Sequence, residues 1–169
     1  MRDSRPTGAR LVEQSAKPTG LGANELSGPH VNAAFLCERV LIEQDSVASA
    51  IRIVDRMYFL VDEEGEPVAP HNVLTLFVNL KSDQARGSYD VAVELERPSG
   101  ERVPVIKSNV LLEGEERGVN ILLPVDFQPE GGAGLYWFDI LFDSQPLTRI
   151  PLRVVYQSPP TVGQGPQGE

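Results

Sequence analysis

The stretch that most restricts what this chain can fold into runs from Gly134 to Tyr156, GLYWFDILFDSQPLTRIPLRVVY. Two apolar runs with a period of two flank the polar break Asp143-Ser144-Gln145-Pro146, the pattern of a long antiparallel hairpin. On its first strand Tyr136, Phe138, Ile140 and Phe142 share one face, and Leu135, Trp137, Asp139 and Leu141 share the other. On its second, Thr148, Ile150, Leu152, Val154 and Tyr156 alternate against Leu147, Arg149, Pro151, Arg153 and Val155. A hairpin this apolar needs a second layer to cover it, which predicts a sandwich.

The rest of the chain supplies that layer. Alternation predicts strands over residues 33–42, 73–81, 88–97, 102–112 and 119–127, with Cys37 at an interior position of the first and Pro124 marking an edge or bulge in the last. Residues 46–61 fit helical spacing through Val47, Ala50, Ile51, Val54 and Tyr58, but their branched and aromatic residues favour a strand. Arg97-Pro98-Ser99-Gly100-Glu101 has the composition of a tight turn. Eight strands and no convincing helix predict an all-β fold, an antiparallel immunoglobulin-like β-sandwich.

Residues 1–30 mix Gly, Pro, Ser and Thr with large apolar residues that show no sustained period, and residues 157–169 hold too little apolar material to pack. The expected organisation is a disordered tail over 1–30, a sandwich domain over 31–156 and a second disordered tail over 157–169. No apolar core of a signal peptide is visible near the start, and no apolar run approaches the ~18 residues of a membrane span. A soluble, cytoplasmic chain without membrane contact is expected.

Charge bears on partners. The net charge is −9, and residues 31–156 hold 20 acidic against 11 basic residues. An acidic body repels a phosphate backbone, so nucleic-acid binding is not expected. Motifs for a nucleophile elbow, a phosphate loop, a dinucleotide fold or a helical zinc site are absent. Cys37 reads as a small core hydrophobe, and His30 and His71 sit in Gly/Pro-rich loop sequence. The sequence therefore predicts no enzyme, no cofactor and no metal.

What it does predict is a module acting through protein contacts, as an accessory subunit or adaptor. The contact surfaces would be an open sheet edge, which also permits homo-oligomers by edge-strand pairing, and the outer face of the hairpin, Trp137, Asp139, Arg149 and Arg153. The alternative is a ligand-binding sandwich. Calcium would sit at the acidic loops Asp62, Glu63, Glu64 and Glu66 or Glu113, Glu115 and Glu116, and a carbohydrate at Trp137.

Two stretches, FLCERVLIEQDSVASAIRIVDRMYF over residues 35–59 and the closing GLYWFDILFDSQPLTRIPLRVVY, resemble a family of small uncharacterised bacterial β-sandwich proteins classified as a domain of unknown function. The resemblance implies an immunoglobulin-like sandwich and a strand over residues 50–59. It carries no catalytic or binding residue across. The Asp143-Ser144-Gln145 turn departs from the glycine that a hairpin tip more often holds.

Overall fold

The computed structural model describes residues 28–159. The expected tails therefore lie, apart from residues 28–30 and 157–159, outside the described residues. Seven strands are present: β1 (His30–Ile42), β2 (Ala48–Val54), β3 (Arg56–Leu60), β4 (Asn72–Glu96), β5 (Arg102–Phe127), β6 (Gly134–Phe142) and β7 (Gln145–Gln157). Among the described residues there is no helix. The hydrogen-bonded order is β2-β1-β4-β6-β7-β3, with β5 on β4.

The count differs from the expected eight because polar stretches that read as loops stay extended. Ser82–Gly87 and Glu113–Gly118 pair with each other, Asp83 opposite Glu115 and Arg86 opposite Glu113, so four expected strands merge into one long β4–β5 ribbon. Register shifts between Lys81 and Arg86 mark where that ribbon changes neighbours. The first part of β4 pairs with β1 and its last part with β6.

The segment over residues 46–61 is extended, as expected, but is broken at Asp55 into two strands with different partners. β2 runs antiparallel to β1, whereas β3 runs parallel to β7, Arg56 beside Arg153 and Leu60 beside Gln157. This corrects the all-antiparallel expectation. A single residue between β2 and β3 leaves no room for a reversal, so the chain keeps its direction while it changes partner. The backbone carbonyl of Asp55 accepts from Arg153 N at 2.9 Å and fixes the crossover.

The hairpin forms as its alternation predicts. Tyr136, Phe138, Ile140 and Leu152 are completely buried, with Ile150 and Val154 beside them. They join one core cluster with Leu36, Leu74, Leu76, Val78 and Leu80 from β1 and β4. Phe127, at the end of β5, lies 5.2 Å from the Tyr136 ring and 6.2 Å from Phe138, although β5 and β6 are not paired.

Pairing of Phe142 with Gln145 leaves a two-residue loop, and both its residues hold positive φ, 45° at Asp143 and 66° at Ser144. That is the twist of the type I′ hairpin turn, obtained here without glycine. Asp143 has a second task, since its Oδ1 accepts from Asp90 N at 2.9 Å. The Ser144 hydroxyl makes no hydrogen bond among the described residues, and a left-handed backbone costs a non-glycine residue about 1 kcal/mol or more. Ser144→Gly is therefore expected to stabilise the domain by about 0.5–1 kcal/mol, read as a higher urea midpoint at unchanged slope.

Candidate functional site

Pairing across four strands builds the outer face of the hairpin. Glu96 of β4 stands opposite Trp137 of β6 and Arg102 of β5, and Asp139 of β6 stands opposite Arg149 of β7. Of the four residues expected there, three meet. The Arg149 guanidinium lies 4.6 Å from the Trp137 ring centroid and grips Asp139 with two bonds, Nε to Oδ1 at 2.8 Å and Nη2 to Oδ2 at 3.2 Å. Arg153 does not join them. It sits four residues along β7, about 13 Å at the rise of an extended strand, and pairs there with Arg56 of β3 and Leu135 of β6.

Two further members, Glu96 and Arg102, complete the group. Arg102 donates to Glu96 Oε2 through Nε at 3.1 Å and Nη2 at 2.8 Å, Arg149 Nη2 reaches the same oxygen at 3.1 Å, and Arg102 Nη2 lies 3.5 Å from Asp139 Oδ2. Two carboxylates are thus matched by two guanidiniums. The arrangement ties β5, β4, β6 and β7 together across the sheet, and its charges are spent on one another rather than offered to a partner. Beside it lies a shallow groove of about 300 Å³ that includes Leu141, Pro146 and Leu147.

The electrostatics of this group have a measurable consequence. Hydrogen bonds from Arg102, with a smaller contribution from Arg149, hold the Glu96 carboxyl below its ordinary value despite some desolvation. A depressed folded-state pKa gives stability that is present above the unfolded value, about 4.3 for Glu, and is lost as pH falls through the folded value. Glu96→Gln is expected to lower the melting temperature at neutral pH, with the two proteins' curves converging as pH drops below 4. Parallel curves through that range would show that Glu96 does not carry the linkage.

The acidic loops do not form a joint site. Asp62 Oδ1 accepts from the backbone N–H groups of Glu64 and Glu66 at 3.0 and 2.9 Å, closing a local turn ahead of β4. Glu113 and Glu115 lie in the middle of the ribbon, bonded to Arg117 and Arg86. Asp83, which pairs with Glu115, is eleven residues beyond Asn72 at the start of β4, on the order of 30 Å of extended chain. No group of three or more potential metal ligands occurs among the described residues. Cys37 is fully buried, and burial pushes its thiol pKa up; His30 bonds Asp83 and His71 bonds Asp126, so neither imidazole is engaged with the sulfur.

A second location emerges where β1 leaves β4. Their pairing ends at Cys37–Thr75, and from there β1 continues only beside β2 while β4 continues only beside β5. The Cys37 Sγ bridges the parting, donating towards the carbonyls of Arg39 at 3.5 Å and Thr75 at 3.6 Å. Beyond it opens a groove of about 590 Å³ between Arg39 on one side and Asn72–Leu74 on the other, with Arg56, Met57 and Tyr58 of β3 also in its lining. Val73 and Tyr58 in its lining are more than half exposed. A sheet edge was expected as a contact surface, but not this parting, nor Arg39, Arg52 and Arg56 on its walls.

No family model and no curated protein matches the chain. Among solved structures it is similar to the alkylpurine DNA glycosylase AlkC of Pseudomonas fluorescens bound to DNA containing an abasic site analog, with 8% identity and a TM-score of 0.41 over 72% of this chain and 30% of that one. The chain thus corresponds to less than a third of the glycosylase's length. It is also similar to an immunoglobulin-like protein of Pseudomonas aeruginosa, with 12% identity and a TM-score of 0.36 over 75% of this chain and 96% of that one. One expectation is corrected by these findings. The expectation that this protein is no enzyme does not stand: the first of these structures is an enzyme, and missing motifs exclude no activity. At these scores the likeness assigns no activity to it.

Proposed function

We propose that this chain is an immunoglobulin-like β-sandwich, of the kind its two most patterned stretches resemble, that acts by holding an extended segment of another protein between β1 and β4. The two-layer reading is supported by the single core cluster, to which both ends of the strand order contribute, and by the contact of Phe127 with Tyr136 and Phe138 across unpaired strands. The bulged middle of the β4–β5 ribbon is where one layer passes into the other.

One observation carries the functional part. Residues 39–42 of β1 and 72–74 of β4 each have a hydrogen-bonded neighbour on one side only, and where the two strands part, Arg39 of the first and Asn72, Val73 and Leu74 of the second line a common groove of about 590 Å³. Unpaired strand edges are templates for a further strand, and main-chain hydrogen bonds to such an edge supply affinity while alternate side-chain contacts supply selectivity. Exposed Val73 and Ile51 give that segment apolar contacts. The outer face of the hairpin is the lesser candidate, because its charged groups are already paired with one another.

Selection of random peptides displayed on phage against the purified domain tests the reading. Peptides that bind are expected to slow backbone hydrogen exchange at residues 39–42 and 72–74. If no peptide binds, or if the bound peptides protect other segments, the proposal fails.

A further inference from the structure

We infer that the segment held at the parting of β1 and β4 is acidic, an extended stretch of a partner protein with Asp or Glu at alternate positions; the inference rests on the reading of that groove given above. Three arginines from three strands line it, Arg39 of β1, Arg52 of β2 and Arg56 of β3. The one carboxylate in the lining, Glu38, is taken by Arg52 at 3.0 Å. Arg39 forms no ion pair among the described residues. At Arg56 the Tyr58 hydroxyl and, more weakly, the carboxylate of its sequence neighbour Asp55 hold the guanidinium pKa above its ordinary value. The groove is therefore locally basic on a chain whose net charge is −9.

That contrast sets the chemistry of the occupant. Repulsion from the acidic body is screened beyond about 8 Å at physiological ionic strength, whereas a carboxylate in the groove meets guanidiniums at contact distance, where bidentate bonds form. An extended chain presents every second side chain to the same wall, so alternate acidic residues match arginines spaced along the groove. The backbone also directs the strand inward. Arg52, in the middle of the edge strand β2, holds φ at +54°, a conformation that interrupts the regular outer edge of β2 and blunts it against pairing there.

A second copy of the chain is the competing occupant, because the tip of its own β1–β2 hairpin carries Glu43 and Asp45. Peptides selected as above distinguish these cases. Those that protect residues 39–42 and 72–74 are expected to be enriched in Asp and Glu, to lose about tenfold in affinity on Arg39→Glu with Arg56→Glu, and to weaken between about 0.05 and 0.5 M salt. Both arginines are exposed, and an unchanged melting temperature of the double variant shows that the fold is kept. Binders that protect the same residues without acidic enrichment overturn the inference and leave the strand-holding reading in place. Sedimentation showing a concentration-dependent dimer that Glu43→Lys with Asp45→Lys abolishes makes the second copy the occupant and overturns it as well.

Discussion

Phe138→Ala is expected to destabilise the domain by about 3–5 kcal/mol, the cost of removing a large aromatic side chain from a site that cannot collapse around the gap. Phe138 is completely buried, pairs with Leu95 on one side and Ile150 on the other, and lies 6.2 Å from Phe127. These neighbours belong to three strands, each held by its own ladder, so none can move in alone. Domain stabilities run to about 5–15 kcal/mol, and a loss of this size brings the variant close to unfolding at body temperature. Phe35→Ala provides the comparison. Phe35 stacks on Phe77 at 4.9 Å but is only partly buried, so the same truncation there is expected to cost less. Urea unfolding of both variants measures the difference; equal losses would mean that the hairpin is not the centre of the core.

Much of this architecture was legible because a strand with one buried face writes a period of two into its sequence. Tyr136, Phe138 and Ile140 read as inward and are inward; Trp137 and Asp139 read as the opposite face and occupy it. Legibility failed where the determining contact was distant. Ser82–Gly87 and Glu113–Gly118 are polar and glycine-bearing, which locally means loop, yet each is held extended by the other. Nothing in residues 46–61 announces that the strand changes partner at Asp55, because the parallel pairing depends on β7, about a hundred residues later.

The sites divide in the same way. Trp137, Asp139 and Arg149 lie on one hairpin, whose register the sequence supplies, whereas Glu96 and Arg102 reach them only because β4 pairs with β6 rather than with a sequence neighbour. The basic groove was invisible for an electrostatic reason. Between residues 39 and 56 the arginines at 39, 52 and 56 are balanced by Glu43, Asp45 and Asp55, so the segment looks neutral. Folding draws two of these carboxylates away. Glu43 and Asp45 go to the hairpin tip, about 13 Å or more along the strand from Arg39, while the arginines remain on the groove walls.

The hairpin also depends on how it begins. Gly134, the first residue of β6, holds φ at +154°, a region that side chains rarely allow, and a Cβ placed there would lie 2.6 Å from Pro98 Cγ and 2.8 Å from Pro98 Cβ. Pro98 belongs to the turn between β4 and β5, closed by Arg97 N to Glu101 O at 2.8 Å, and its rigid ring cannot swing aside. Backbone strain and overpacking therefore act together, and Gly134→Ala is expected to cost about 2–4 kcal/mol. Two further variants separate the causes. Gly132 also has positive φ, +77°, but a Cβ there meets nothing within 4 Å, so Gly132→Ala should cost only about 1 kcal/mol of backbone strain. Combining Gly134→Ala with Pro98→Gly removes both contacting carbons and, measured against Pro98→Gly alone, should recover about half of the loss, leaving the strain of the φ angle alone. If the double variant recovers nothing, the close approach of the two turns does not limit where β6 starts, and the φ requirement at Gly134 accounts for the whole effect.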